Sequence, residues 1–239
     1  MYLVEHTRPY PAENLALDEA LVELAENAAR PLEILRLWEP STPMVVVGRS
    51  SHAAQEVRLD HCRRQAIPVF RRASGGATVV IAPGCLMYAL VLSYDLRPDV
   101  RMIDRAHRLV LETLVAAIRP LANHAMWRGT CDLAVDGRKF SGNSLRCRRR
   151  SLLYHGTLLY DFPIELVDRC LGMPPRMPDY RQDRPHSAFL TNLPVEPTAL
   201  RGALKTAWRA AEPLTNLPLD HMRSLVAEKY DLASWNLRH

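Results

Sequence analysis

A lysine in a short polar strand is the residue of this chain best suited to chemistry. Residues 137–142 read Gly-Arg-Lys-Phe-Ser-Gly, and their alternation predicts a strand with Lys139 and Ser141 on one face. Arg138 and Phe140 then lie on the opposite face. A lysine fixed on a sheet can bind a carbonyl and phosphate oxygens together and stabilise developing negative charge, as acyl transfer requires. Taken alone, the pattern also fits a solvated surface charge.

A glycine-containing segment earlier in the chain could hold an anion. Residues 71–78 read Arg-Arg-Ala-Ser-Gly-Gly-Ala-Thr. Because glycines have no side chain, a ligand can approach the backbone N–H groups, and the arginines add charge-assisted bonds to a carboxylate or phosphate. The segment therefore predicts an anion cradle. The alternative is a tight hairpin turn that carries two solvated arginines.

A polar trio interrupts an otherwise apolar strand. His155, Gly156 and Thr157 follow Leu153-Tyr154 and precede Leu158-Leu159. Such an interruption costs burial free energy unless the polar groups serve packing or a ligand. The trio therefore predicts part of a binding site, with a core histidine as the alternative for His155.

The elements that must position these residues indicate an α+β fold. Apolar residues at helical spacing predict a surface helix over 11–27, with Asp18 and Glu19 on its polar face. Further helices are predicted over residues 57–65, 102–118, 164–171, 198–210 and 217–230, with a proline-rich loop over 174–185. Strands are predicted over residues 34–38, 44–47, 67–70, 77–81, 87–93, 131–135, 138–141 and 152–160. Together they predict a mixed sheet with helices on it.

Length and composition favour one soluble domain. The chain has 239 residues, of which 48% are hydrophobic, enough for a sizeable core. We expect a single catalytic domain over residues 1–239, helical from about residue 163, without a separate accessory domain. No apolar run reaches bilayer length and the start lacks a signal-peptide pattern, so we expect a cytoplasmic protein without membrane contact.

The cysteines and the net charge limit the kinds of site and partner that we expect for this protein. The five cysteines are scattered and never form a CxxC pair, which predicts neither a disulfide framework nor a metal site. The net charge of +5 favours acidic partners. Residues 146–150, Arg-Cys-Arg-Arg-Arg, fall at a predicted hairpin tip without interleaved aromatics. We interpret them as a solvated or carrier-docking surface, and we expect no nucleic-acid partner.

In this order, the three polar segments resemble the lipoate-protein ligase A family and its relatives, the lipoyl and octanoyl transferases. The resemblance covers most of the chain and includes residues 13–20, 46–49, 71–76, 131–143 and 154–159. It implies a biotin/lipoate ligase-like catalytic fold with a mostly antiparallel sheet, in which Lys139 contacts the acyl carbonyl. The residues expected to bind substrate are Arg72, Ser74, Gly75, Gly76, Ala77, Asp132, Ser141, Gly142, His155, Gly156 and Thr157.

The resemblance also implies an activity. A ligase of this family would attach a lipoyl or octanoyl group to the lysine of an acidic lipoyl domain, or of a carrier like the glycine cleavage H protein. It would use ATP and Mg and pass through an acyl-adenylate. A transferase would need neither cofactor and would take its acyl group from a thioester, for example on acyl carrier protein.

Several positions depart from the ligase pattern. Ala77 and Ile81 stand where the ligases have glycine and histidine, and Cys131 replaces the asparagine of their Asn-Asp-Leu. Because that asparagine is associated with nucleotide and metal binding, its loss leaves ATP use open.

A thiol at position 131 suggests a second mechanism, in which Cys131 is a nucleophile that forms an acyl thioester. Nearby Lys139 would favour its thiolate. The cysteine of the cysteine-dependent transferases lies elsewhere relative to the lysine, and a small buried cysteine is the plain alternative. A non-catalytic acyl-binding accessory subunit is a third hypothesis. A biotin ligase is a weaker fourth, since residues 48–52 lack the Gly-Arg-Gly-Arg-like loop of that branch.

Overall fold

Two sheets organise the residues that the computed structural model describes, 1–238. The strands are β1 Tyr2–Glu5, β2 Ile34–Trp38, β3 Met44–Val47, β4 Val69–Arg71, β5 Val79–Ile81, β6 Cys85–Ser93, β7 Met126–Arg128, β8 Asp132–Val135, β9 Arg138–Cys147, β10 Ser151–Leu159 and β11 Glu212–Pro213. The large sheet has the order β11-β1-β2-β6-β10-β9-β8-β7, and the small one β4-β3-β5. In the large sheet β1 pairs in parallel with β2 and β11, and the other neighbours are antiparallel.

Helices cover both faces of the large sheet. They are α1 Pro11–Asn27, α2 Ala53–Glu56, α3 Leu59–Arg64, α4 Ile103–Ile118, α5 Glu165–Cys170, α6 His186–Phe189, α7 Pro197–Ala207, α8 Leu219–Leu225 and α9 Ala233–Asn236. One buried cluster packs α1, α8 and the small sheet against one face, and a second packs α4 and α7 against the other. This arrangement confirms the predicted α+β class with a mixed, mostly antiparallel sheet. Within residues 1–238, no helix is both long and apolar enough to span a bilayer.

The first helix is buried on more sides than its sequence suggests. Asp18 and Glu19 are each only 2% exposed. Glu19 accepts hydrogen bonds from Lys229 Nζ at 2.7 Å and from the Tyr230 hydroxyl at 2.7 Å. The prediction of a surface helix packed on one side is therefore wrong, because residues 219–230 pack against the helix from its other side. Periodicity within one helix carries no information about such a distant segment.

A β-bulge changes the direction of the lysine. Strand β8 pairs Leu133 with Ser141 and Ala134 with Lys139, so Phe140 is an extra residue on β9. Since neighbouring residues of a strand point to opposite faces, Lys139 and Ser141 also point to opposite faces. The prediction that they share a face is wrong. The bulge lets Lys139 face α1 and the small sheet, while Phe140 is fully buried on the α4 side.

The arginine-rich turn between β9 and β10 is mostly paired within the protein. Arg146 forms an ion pair with Glu19, and Arg148 forms one with Glu23, whereas Arg149 is exposed. The predicted solvated surface is therefore wrong for Arg146 and Arg148, and a carrier-docking surface stays a prediction. Their charges hold the turn against α1 instead.

The remaining differences concern short or edge elements. Strands β1, β7 and β11, at or next to the edges of the large sheet, have no counterpart in the predictions. These three strands have only two to four residues, too few for an alternating pattern to stand out. Strand β9 continues to residue 147 rather than 141. The proline-rich residues 174–185 contain a 3₁₀ turn at Asp179–Arg181 and fold back toward β8 and β9.

Candidate active site

A cavity of about 920 Å³ lies between the large sheet, the small sheet and α1. Its apolar wall residues include Leu15, Val46, Val80 and Leu159. The part of the wall called here the polar end carries predicted site residues from β8, β9, β10 and the glycine loop, residues 71–78. Those lining the cavity are Arg72, Gly76, Ala77, Cys131, Asp132, Lys139, Ser141, Gly142, His155, Gly156 and Thr157. Ser74 and Gly75 lie behind this wall; within residues 1–238, they are the predicted site residues that do not line it.

Lys139 lies at the polar end, held by a carboxylate. Its Nζ is 2.7 Å from Asp132 Oδ1, and its side chain is 24% exposed. A Cβ added at Gly142 would lie 2.9 Å from the same Nζ, so the lysine lies directly over this glycine. An ammonium group has three N–H donors, and Asp132 takes one. The others remain to bind a ligand oxygen in the cavity.

Asp132 also anchors the proline-rich segment. Its second oxygen, Oδ2, accepts a hydrogen bond from the Tyr180 hydroxyl at 2.9 Å. Burial and the charge of Asp132 together raise the pKa of Tyr180 above its usual range, so the phenol stays a donor. Pro174 to Pro178 and Arg181 line the cavity beside it. Residues 174–181 thus form a wall of the site that the sequence did not assign.

The thiol of Cys131 is not activated. Its Sγ donates to the Asn143 carbonyl at 2.9 Å. Burial raises the pKa of Cys131, the charge of Asp132 raises it further, and Lys139 and Arg72 only partly oppose this. Because Asp132 lies beside both groups, Lys139 does not produce the predicted thiolate. That electrostatic expectation is wrong for this state of the site.

The glycine loop is built around two buried arginines. Arg71 is 0% exposed and Arg72 is 8% exposed, so the alternative of a hairpin turn with solvated arginines is wrong. Arg71 donates to the carbonyls of Gly48 and Ser51, each at 2.7 Å, and to the carbonyl of Trp235 at 2.9 Å. It therefore joins the C-terminal segment to the loop after β3.

Arg72 organises the loop itself. Its guanidinium donates to the carbonyls of Val46, Gly75 and Ala77 at 2.5–3.1 Å. Burial lowers the pKa of Arg72 to about 10, yet the group remains cationic at neutral pH. Within residues 1–238, Arg72 forms no ion pair with a carboxylate, and the charge of Glu56 acts on it from a greater distance. The N–H groups of Gly76 and Ala77 donate no hydrogen bond within the same residues.

The polar trio of β10 supports the loop and the lysine strand. His155 Nε2 lies 2.6 Å from Ser74 Oγ, which joins β10 to the glycine loop. Thr157 Oγ1 accepts from the Gly142 N–H at 3.2 Å. His155 is 8% exposed and lines the cavity, so it is more than a packed core histidine.

Asn143 is a site residue that the sequence reasoning missed. Its side chain accepts from the Tyr88 hydroxyl at 2.5 Å and donates to the Cys131 carbonyl at 2.8 Å and to Ser141 Oγ at 3.1 Å. A Cβ on Gly156 would lie 1.9 Å from Asn143 Oδ1. The signal was an asparagine inside a strand, where this residue is uncommon, opposite a glycine on the next strand.

Replacing Gly142 with alanine should move the lysine without unfolding the protein. The new Cβ meets the far end of a flexible side chain, so the Lys139 amine shifts by a fraction of an ångström to about 1 Å. Such a misplacement costs on the order of tenfold to a hundredfold in turnover. We expect this loss in kcat with an unchanged melting temperature. A loss of turnover only in proportion to the loss of folded protein would contradict the role of Gly142.

The fold is an α+β domain with a cavity that is lined by apolar, cationic and acidic side chains. The chain belongs to the lipoyl protein ligase A/B catalytic domain family, whose model matches residues 10–196. Members of this family are enzymes named lipoate-protein ligases or octanoyltransferases, and this chain is similar to both.

Two relatives show the range of the similarity. Lipoate-protein ligase LplJ of Bacillus subtilis is 28% identical over 159 residues, which are 66% of this chain and 45% of the relative. Octanoyltransferase LipM of Symbiobacterium thermophilum is 27% identical over 266 residues, covering 97% of this chain and 95% of the relative. The chain spans about half the length of the curated ligases it matches.

Solved structures share the fold. A bi-partite lipoate protein ligase from Thermoplasma acidophilum, described with its E2 lipoyl domain, superposes with a TM-score of 0.84 at 22% identity. The match covers 99% of this chain and 95% of that one. A lipoate-protein ligase A bound with ATP gives a TM-score of 0.81, also at 22% identity, with 99% and 98% covered.

Proposed function

We propose that this protein attaches a lipoyl or octanoyl group to a lysine of an acidic lipoyl carrier domain through an acyl-adenylate. The observation that carries the proposal is the position of Lys139. Its ammonium lies in a cavity that is lined by both apolar and polar side chains, as an amphipathic carboxylic acid requires. The buried charge of Arg72 adds positive potential at the same end.

The proposed first step joins the acid to the nucleotide. A carboxylate oxygen attacks the α-phosphorus of ATP, the bond to pyrophosphate breaks, and acyl-adenylate forms. Lys139 donates to the acyl carbonyl and a phosphate oxygen, where negative charge develops. The free N–H groups of Gly76 and Ala77 support an anion beside it.

In the second step the carrier takes the acyl group. The ε-amine of a carrier lysine attacks the acyl carbon, the bond to AMP breaks, and an amide remains after loss of a proton. Residues 174–181, tied to Asp132 through Tyr180, shield the adenylate from water in this proposal. The partner is a lipoyl domain or a carrier like the glycine cleavage H protein.

Magnesium would reach the site with the nucleotide. Within residues 1–238, no group of three His, Cys, Asp or Glu side chains is arranged to hold a metal ion. The nearby carboxylate of Asp132 is engaged by Lys139 and Tyr180. Mg²⁺ commonly binds through substrate phosphates and water, which fits this setting. It would neutralise charge on the phosphates.

We also propose one catalytic domain over residues 1–239 and a reducing compartment, the cytoplasm. Core clusters on both faces of one sheet support the first proposal. The five cysteines are free thiols, which supports the second.

The test is ATP-dependent acylation of a carrier. The protein is mixed with a lipoyl domain, ATP, Mg²⁺ and either lipoate or octanoate, and the carrier is weighed by intact-mass spectrometry. We expect the mass of one acyl group on the carrier, dependent on ATP. Acylation only when an acyl thioester replaces acid and ATP would overturn the adenylate route.

A second candidate is transfer from a thioester, such as octanoyl acyl carrier protein, with Cys131 as nucleophile. The specific observation in its favour is that the octanoyltransferase relatives match along nearly their whole length, whereas the curated ligases match over about half of theirs. In this route the thiolate attacks the acyl carbon and the donor thiol leaves. The carrier amine then attacks the enzyme thioester, which releases Cys131. The raised pKa of Cys131 argues against it.

Replacing Cys131 with alanine separates the two routes. The adenylate route does not use the thiol, so we expect Cys131→Ala to keep at least about a third of wild-type carrier acylation, the loss reflecting one weak hydrogen bond to Asn143. The measurement is the initial rate with acid and ATP, and with octanoyl carrier in parallel. Cys147→Ala, at an exposed thiol, is the matched control. Complete loss in Cys131→Ala alone would favour the thioester route.

A further inference from the structure

Four buried polar side chains form a line from the core to the glycine loop. Arg36, Asp18, His155 and Ser74 are 0%, 2%, 8% and 1% exposed. Arg36 Nη1 lies 2.5 Å from Asp18 Oδ1, and Asp18 Oδ2 lies 3.4 Å from His155 Nδ1. His155 Nε2 lies 2.6 Å from Ser74 Oγ. Burying such groups is costly unless they are hydrogen-bonded, and here each one bonds its neighbour in the line, although Arg36 Nε has no partner.

The donors in this line converge on Asp18: His155 donates to its carboxylate from one side and Arg36 from the other. The carboxylate of Asp18 can only accept, so His155 Nδ1 carries the proton of their bond, and in the neutral imidazole the other ring nitrogen, Nε2, is then the acceptor. Ser74 therefore donates its hydroxyl proton to Nε2. Its oxygen in turn accepts from Arg72 Nε at 3.1 Å. The position of Asp18, fixed by Arg36, thus determines how the serine meets Arg72.

A serine, a histidine and an aspartate in this order also occur in acyl-transfer triads, where the serine is the nucleophile. Here Ser74 lies behind the cavity wall and its oxygen is engaged by Arg72. A nucleophile must reach the acyl carbon, so this geometry excludes that role. The line therefore supports the glycine loop, and Ser74 does not attack the substrate.

We infer that Asp18 and His155 are positioning residues, which hold the Ser74 hydroxyl so that Arg72 and the N–H groups of Gly76 and Ala77 stay in place for the acyl carboxylate. The inference rests on the proposed function for the identity of the ligand. The hydrogen-bonded line itself runs between α1, β2, β10 and the glycine loop. A substitution in α1 that moves Asp18 therefore changes the position of Ser74 and, with it, the polar end of the cavity.

Two substitutions of His155 test its bonds to Asp18 and to Ser74 separately. Asparagine places its amide near the Nδ1 position and loses the bond to Ser74, whereas glutamine places its amide near Nε2 and can keep that bond. We expect His155→Asn and Ser74→Ala each to raise the Kd for octanoate about tenfold. His155→Gln should stay within about threefold of wild type. The double variant Ser74→Ala with His155→Asn should be no weaker than either single one, because both act through one bond.

The control is another histidine of equal burial. His107 is 8% exposed and bonds the Tyr154 hydroxyl at 2.9 Å, on the opposite face of the large sheet. His107→Asn should lower the melting temperature and leave the Kd for octanoate unchanged. A similar rise in Kd for His107→Asn would show that the effect of His155→Asn is a general loss of packing.

Binding is measured by calorimetry with octanoate, and hydrogen exchange of the peptide containing residues 73–78 is followed in parallel. Faster exchange in Ser74→Ala and His155→Asn, together with non-additive Kd values, is the expected result. Unchanged exchange, or additive effects in the double variant, would overturn the inference. If wild type binds neither octanoate nor lipoate, the proposed function fails, while the exchange rates still decide whether the line holds the loop.

Discussion

Lys139→Ala is expected to lower carrier acylation by about a hundredfold or more, because removal of one preorganised donor to developing negative charge costs on the order of a hundredfold to a thousandfold. The lysine is partly exposed, and Asp132 keeps its bond from Tyr180, so the protein should remain folded. Initial rates at saturating ATP and acid, with a melting curve for each variant, measure both effects.

Lys205→Ala is the matched control for this lysine. Lys205 also binds a carboxylate, Glu5 at 3.1 Å, and its side chain is 35% exposed, but it lies on α7 outside the cavity. Its replacement should change the rate by less than about twofold. Turnover by wild type that is lost in Lys139→Ala excludes the non-catalytic accessory subunit. Full activity in Lys139→Ala would remove the residue on which the proposed function depends.

Gly156→Ala is expected to have the largest effect on stability. Its Cβ would lie 1.9 Å from Asn143 Oδ1 and 2.9 Å from the Gly142 carbonyl oxygen, in a fully buried part of β10. The Asn143 amide must move, and its bonds to Tyr88, Cys131 and Ser141 are then lost or distorted. Each buried polar group left without a partner costs about 1–3 kcal/mol. We therefore expect a loss of roughly 3 kcal/mol or more in the free energy of unfolding.

Urea denaturation of Gly156→Ala measures this loss, with Gly202→Ala as the matched control. Gly202 lies in helix α7, and nothing lies within 4 Å of its added Cβ. A glycine-to-alanine change in an open helical position stabilises by about 0.5–1 kcal/mol. A Gly156→Ala protein as stable as wild type would show that Asn143 does not depend on this contact.

Local sequence patterns predicted the elements that carry the site. The helix over 11–27 and the strands over 34–38 and 44–47 coincide with those of the structure. The predictions of these elements depended on periodicity or composition within a few neighbouring residues. The three polar segments also meet at one cavity, as their resemblance to the lipoate-protein ligase A family implied.

The features that the sequence did not predict depend on contacts between segments that are far apart in the chain. The bulge at Phe140 arises from the register of β9 against β8, and alternation along β9 alone predicts the wrong face for Ser141. The raised pKa of Cys131 arises from burial and from Asp132 being fixed between Lys139 and Tyr180. Tyr180 lies 48 residues after Asp132 in the chain. No local pattern reports such contacts.

The most direct test of the central claim is acid-dependent exchange of labelled pyrophosphate into ATP in the absence of any carrier. The adenylate route predicts rapid exchange with lipoate or octanoate, retained in Cys131→Ala and lowered by about a hundredfold or more in Lys139→Ala. Reversible adenylate formation is the only step of the proposal that moves label in this assay. Carrier acylation from octanoyl thioester without any exchange, with lipoate, octanoate or biotin as the acid, would contradict the account.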